Sequence, residues 1–239
     1  MDWRQDADYG FCEHLDLAGW AWQFLRREPA YRADYTEFIH VWRQLEAAYG
    51  QPPQRDFFKW KQDPRAWRPE SEIAACGTEI CPGENDLVLI ECWMGAKWGF
   101  RKFPIDPAVD LPEELVWREF PIDVEVIGAA PGLQHPRKPE MLALDFDLSL
   151  PLPAQLEAAK RRLISARQIK LHAGELPPRN AREGMPVWRR WLRLLDALEA
   201  GENLHAICPE LALYDPERAA SSAIAMRGGG YRRLLMLGQ

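Results

Sequence analysis

Long hydrophobic runs are missing from this 239-residue chain. No stretch approaches the roughly 20 consecutive apolar residues of a membrane-spanning helix, so no such helix is expected. The start, Met1-Asp2-Trp3-Arg4-Gln5-Asp6, lacks a basic segment followed by an apolar core. No signal peptide is therefore expected, and a cytoplasmic location is the default. Cysteine is sparse and odd in number: Cys12, Cys76, Cys81, Cys92 and Cys208. Only Cys76 and Cys81 are close, and no histidine follows them at metal-finger spacing, so the expectation is plain thiols. His14, His40, His135, His172 and His205 are dispersed, with no metal-ligand pair at helical spacing. Gly228-Gly229-Gly230 lacks the strand, the lysine and the hydroxyl residue of a phosphate-binding loop. Ser221 and Ser222 have no neighbouring histidine or acid pair to activate a nucleophile. Asp145 and Asp147 alternate on an expected strand, where edge polarity explains them as well as cation binding does. No enzyme chemistry, metal or cofactor is expected.

What the chain does have is tryptophan, 11 of them, which promises large buried anchors or an aromatic interface. It also has a polarised charge. The net charge is -6, yet residues 151–239 hold 14 Lys+Arg against 9 Asp+Glu, and the remainder is strongly acidic. Such polarity fits an electrostatic footprint confined to a C-terminal module.

Leu17, Trp20, Ala21 and Phe24 recur at helical spacing behind Asp16, a residue suited to an N-cap. Pro29 either breaks the chain or opens a second helix, whose face carries Tyr31, Tyr35, Phe38, Val41, Trp42, Leu45 and Tyr49 up to Gly50. Residues 51–85 read as irregular. The pattern then predicts strands over 87–92 and 98–103, joined through Met94-Gly95-Ala96, and over 114–120, 122–127 and 141–146. A basic helix over 154–172 carries Lys160, Arg161, Arg162, Arg167 and Lys170, with Leu156, Ala159, Leu163 and Ala166 as apolar positions.

Three helices are expected in the tail. The first runs from Pro186 to Gly201, with Trp188, Trp191, Leu192, Leu195 and Leu198 as a core stripe and Arg189, Arg190 and Arg193 off it. The second is capped by Asn203 and shortened or kinked by Pro209. The third starts at Asp215-Pro216-Glu217 and ends at the glycine triplet. This is a helix-turn-helix-like pattern, though by spacing alone a plain three-helix packing unit is the favoured reading. In the first case Arg218, Ser221 and Ser222 are the candidates for the groove. Arg227, Arg232, Arg233, Arg189 and Arg190 are then the candidates for phosphates. Lys160, Arg161 and Arg162 are either further phosphate contacts or a solvated helix face. Trp3, Trp20, Trp22 and Trp42 are candidates for a subunit interface, with base stacking the less favoured role.

The run Trp20-Ala21-Trp22-Gln23-Phe24-Leu25-Arg26-Arg27, followed by Pro29-Ala30-Tyr31-Arg32 and Tyr35, resembles the N-terminal module of a family of proteobacterial transcriptional regulators. The tail resembles that family's RovC-type DNA-binding domain. It does so through Trp191-Leu192-Arg193-Leu194-Leu195-Asp196-Ala197, Gly201 and Gly230-Tyr231-Arg232-Arg233-Leu234-Leu235. The resemblance implies an activator of a specialised gene cluster, such as type VI secretion or mobile-element transfer. It also implies a homo-oligomer such as a hexamer, with promoter DNA and RNA polymerase as partners. Related modules act as antiactivators that sequester another transcription factor, which is the alternative. A third reading makes the central sheet a small-molecule sensor.

The expected fold is α+β, with N-terminal helices, a small central antiparallel β-sheet and a C-terminal helical module. Residues 1–150 are expected to serve oligomerisation or regulation, and residues 151–239 to bind DNA.

Overall fold

Capping chemistry sets the front of the chain. In the computed structural model, which describes residues 1–74, 86–101, 103–118, 141–173, 175–176 and 181–237, a 3-10 turn over Asp6–His14 leads into α1 (Leu17–Leu25). The Asp16 carboxylate accepts from the Gly19 N–H at 2.7 Å and so satisfies one of the helix's open donors. Pro29 is the first residue of α2 (Pro29–Tyr49), where its missing N–H goes unneeded. Gly50 closes α2 at φ 85, a conformation that a side chain would resist.

The expected irregular stretch holds short elements: α3 (Phe57–Trp60), a 3-10 turn Pro64–Ala66, β1 (Trp67–Pro69) and α4 (Ser71–Ala74). β1 pairs antiparallel with β2 (Leu87–Leu89), Trp67 facing Leu89 and Pro69 facing Leu87. Among the described residues the sheet has these two strands only. The α+β class therefore stands, but with a different sheet from the one expected. The expected strand over 87–92 stops at Leu89, and α5 (Ile90–Trp98) takes over. The reason is spacing: Ile90, Trp93, Met94 and Trp98 are buried, a helical period that the short apolar run concealed. Gly99, at φ 96, ends α5, and Phe100 then forms a lone antiparallel bridge with Trp117. Among the described residues of 98–103 and 114–120 that bridge stands in place of the expected strands, and residues 102, 119 and 120 lie outside the described residues. The strand expected over 122–127 lies outside the described residues, and 141–146 is without regular structure.

The tail holds α6 (Leu152–His172), α7 (Ala181–Glu199), α8 (Leu204–Leu211), α9 (Pro216–Ala225) and α10 (Tyr231–Leu237). Pro186 lies inside α7 instead of opening it. A proline forfeits one hydrogen bond to the preceding turn, which bends a helix without always stopping it. The glycine triplet does not end the structured tail either. A π-turn over Met226–Gly230, with Gly229 at φ 145, turns the chain into α10.

The chain forms two compact units. One comprises Met1–Ile122 with Val187–Gln239, the other Asp123–Pro186. In the first unit α10 packs along α1. Trp20 and Trp188, both fully buried, meet edge to face at 5.5 Å. Trp22 meets the edges of Tyr31 and Phe100. A second aromatic cluster joins Phe38, Trp42 and Trp60, and the Arg55 guanidinium lies 4.5 Å from the Trp42 ring and 3.9 Å from the Trp60 ring. Such burial of large rings is the main force holding this unit together.

Polar groups inside the unit are paired across long sequence distances. Arg27, 3% exposed at its side chain, binds Asp196 through Nε at 2.6 Å and Nη2 at 2.9 Å. Tyr9 donates its hydroxyl to the same carboxylate, and Gln23 accepts from Arg27. Arg193, also buried, binds the Trp3 and Arg4 carbonyls and Asp6.

Burial pushes the Tyr9 and Tyr31 hydroxyls well up from the ordinary phenol value, Tyr9 also through the Asp196 carboxylate. Both can ionise freely only on unfolding. The stability they contribute is whole below about pH 10 and is lost as the pH rises through their folded-state values. Circular dichroism against pH is expected to show unfolding that begins above about pH 10. A chain with both tyrosines changed to phenylalanine should lose stability less steeply there.

Candidate nucleic-acid interface

The sequence places a proline and an acid at the start of α9, and the structure uses both. Asp215 accepts from the Arg218 N–H at 3.0 Å, and Pro216 occupies the first turn. Before it, Asn203 caps α8 by accepting from the His205 N–H at 2.9 Å. Pro209 brings no N–H to α8, which stops two residues later at Leu211. Ala212, at φ 49, then swings the chain through residues 213–215 into α9.

α9 buries Ala220 and Ala223 against the body of the unit. Arg218, Ser221 and Ala225 are exposed on its opposite side, with Ser222 half-buried beside them. These positions follow at i, i+3, i+4 and i+7, so Arg218, Ser221 and Ser222 share one outward stripe. The stripe borders a cleft of about 260 Å³ lined by Arg190, Trp191, Leu213, Tyr214, Arg218 and Ser222 among others. Tyr214 projects fully from the turn between α8 and α9. The sequence reading missed Tyr214 and the groove-lining side of Trp191. The signal was present: a tyrosine immediately before an Asp-Pro cap sits in a turn, with no helix face to bury it.

The other predicted residues fall elsewhere. Arg189 is held by Asp6 at 2.8 Å and Glu13 at 3.4 Å. Arg227 lies 3.2 Å from Glu28. Arg232 donates to the Lys97 carbonyl at 2.6 Å. These three guanidinium groups brace the front of the chain against the tail. Arg233 is exposed and Arg190 half-buried. Lys160, Arg161 and Arg162 are exposed on α6, in the other compact unit. Trp20 and Trp22 are fully buried and Trp42 and Trp3 nearly so. Burial in their own chain leaves these rings little surface to offer a second copy.

The charge polarity is also relocated. α6 carries five Lys+Arg against one Asp+Glu, whereas residues 187–239 carry seven against six. The basic surplus of the last ninety or so residues thus resides mainly in α6. Among the described residues no cluster of three metal-ligating side chains occurs. No described helix is long and apolar enough to cross a membrane.

Residues 2–59 match the family model of the proteobacterial transcriptional regulator-like domain. This regulator-like domain spans the Asp6–His14 turn, α1, α2 and part of α3. The match supports a regulatory role in transcription and points to no enzyme family. No curated protein and no solved structure matches the chain. The regulator-like domain is continuous in space with the tail. Its α1 lies on α10, its Trp20 meets Trp188, and its Arg27 binds Asp196.

Proposed function

We propose that this protein is a DNA-binding transcriptional regulator that presents α9 and the turn before it to the major groove. One observation carries the reading: Arg218, Ser221 and Ser222 share an outward stripe beside the exposed Tyr214 and the Arg190-lined cleft. A major groove about 12 Å wide accepts one helix, and the small residues of α9 permit close approach. Arg218 is the base-reading candidate, while Arg190 and Arg233 serve phosphates. The finer role, activation of a specialised gene cluster such as type VI secretion or mobile-element transfer by a homo-oligomer, is supported by the resemblance of the tail.

Few cations face outward here, so phosphate contacts are few. Two such contacts per copy, from Arg190 and Arg233, give a slope of about -2 in log affinity against log salt. Fluorescence anisotropy with a labelled promoter fragment from the gene's own neighbourhood, against a scrambled duplex, measures this directly. Arg218→Ala is expected to lower promoter preference by about 1–3 kcal/mol. Arg233→Ala is expected to weaken both duplexes alike and to flatten the slope by about one. Equal affinity for both duplexes in the unmodified protein, or an Arg218→Ala chain with unchanged preference, would overturn the reading.

A further inference from the structure

α6 is the one described helix longer than two turns in which no residue is buried. A 21-residue helix gains little stability from propensity alone and normally rests on a packed apolar face. Five of its apolar residues fall in line, while Ile164, Ile169 and Leu171 lie off that line. Leu152, Leu156, Ala159, Leu163 and Ala166 follow one another at alternating steps of four and three residues. That is the 3.5-residue period of a coiled-coil seam. All three leucines of the seam are about half exposed.

The residues flanking the seam choose the partner. Lys160, Arg162 and Arg167 occupy three of the five positions beside it and all are basic, while Pro153 and Gln155 hold the other two. In a parallel pair with a second α6, Arg162 would meet the Arg167 of the other copy on both sides of the seam, and Lys160 would meet Gln155. Like charges across a seam select against pairing. A helix with acidic flanks would instead meet opposite charge at each of these positions. DNA would satisfy the cations but leave the leucines uncovered. A membrane surface favours a broad apolar face with large side chains. α6 has no aromatic residue, and alternate seam positions are alanine, which suits close helix packing.

We propose that α6 is the docking site for an acidic amphipathic helix of a partner protein, held by the Leu152–Ala166 seam and selected by Lys160, Arg162 and Arg167. This inference does not depend on the DNA-binding reading of α9.

The test uses the full chain and two labelled synthetic helical peptides of α6's length, with leucine at the seam positions. One carries glutamate at every flanking position, the other lysine. The glutamate peptide is expected to bind, with the lysine peptide weaker by at least about tenfold. Leu156→Gln/Leu163→Gln should weaken the glutamate peptide by about tenfold while leaving every charge in place. Lys160→Glu/Arg162→Glu/Arg167→Glu should reverse the preference between the peptides. No α6 side chain is buried, so these variants leave the folded units intact, and circular dichroism checks that. Equal binding of both peptides, or an unaffected leucine double variant, overturns the proposal. So does sedimentation showing a dimer that the leucine double variant abolishes, which assigns the seam to a second copy. Failure of the glutamate peptide to bind, combined with loss of duplex affinity in the charge-reversed chain, assigns α6 to DNA. Failure of that peptide with seam-dependent binding to vesicles of anionic phospholipid assigns it to a membrane surface.

Discussion

Asp196→Ala is expected to lower the stability of the first compact unit by about 3–5 kcal/mol. Asp196 is the shared acceptor for a nearly inaccessible guanidinium, that of Arg27, and for the Tyr9 hydroxyl. Removing it strands a buried cation with no counter-charge, and that penalty exceeds the net worth of the pair itself. Arg27→Met combined with Asp196→Leu removes both charges and should therefore cost less than Asp196→Ala alone. Urea unfolding of the three chains at neutral pH gives the comparison through their midpoints at constant slope. A loss below about 1 kcal/mol for Asp196→Ala would place the pair with ordinary surface bridges and refute a lock between front and tail.

Trp188→Ala should cost about 3–5 kcal/mol by the loss of its buried ring and the cavity left behind. The edge-to-face contact with Trp20 adds about 0.5–1.5 kcal/mol beyond area burial. Neither indole Nε1 has a hydrogen-bond partner among the described residues, so the two rings act there through shape. Trp188→Phe should accordingly keep much of the stability that Trp188→Ala loses. Trp20→Ala/Trp188→Ala should fall short of the sum of the single losses, because the two share one cavity. Calorimetry on the four variants decides the matter. Additive losses would mean that the rings do not depend on each other.

Local chemistry made much of this fold readable in advance. Asp16, Pro29, Gly50, Asn203 and the Asp215-Pro216 pair act within a few residues of themselves, and each begins or ends a helix as its side chain dictates. Periodicity was less secure in the middle of the chain. Residues 87–98 are apolar on both strand and helix templates, and only their contacts with α2 and α4 settle α5 as a helix. Pro186 and the glycine triplet misled for a related reason: both weaken a helix locally, and tertiary packing decides whether the chain stops there. In the candidate site, Arg218, Ser221 and Ser222 were visible as one helical stripe. The fate of the remaining arginines was not. Whether Arg189, Arg227 and Arg232 face solvent or brace the body depends on Asp6, Glu13, Glu28 and Lys97, all distant in sequence. The burial of Trp20, Trp22 and Trp42 has the same origin, since Trp188, Phe100 and Phe103, which meet them in turn, are distant from them in sequence.

Arg27 and Asp196 stand 169 residues apart. A ribosome adding about 5–20 residues per second needs roughly 10–30 s to travel that far. Throughout that interval the nascent regulator-like domain exists without α7 and α10. Trp20 and its neighbours are then apolar rings awaiting a cover that has not yet been synthesised. Birth from the ribosome is thus the moment at which this chain is most open to aggregation, and the arrival of α7 and α10 is what ends it.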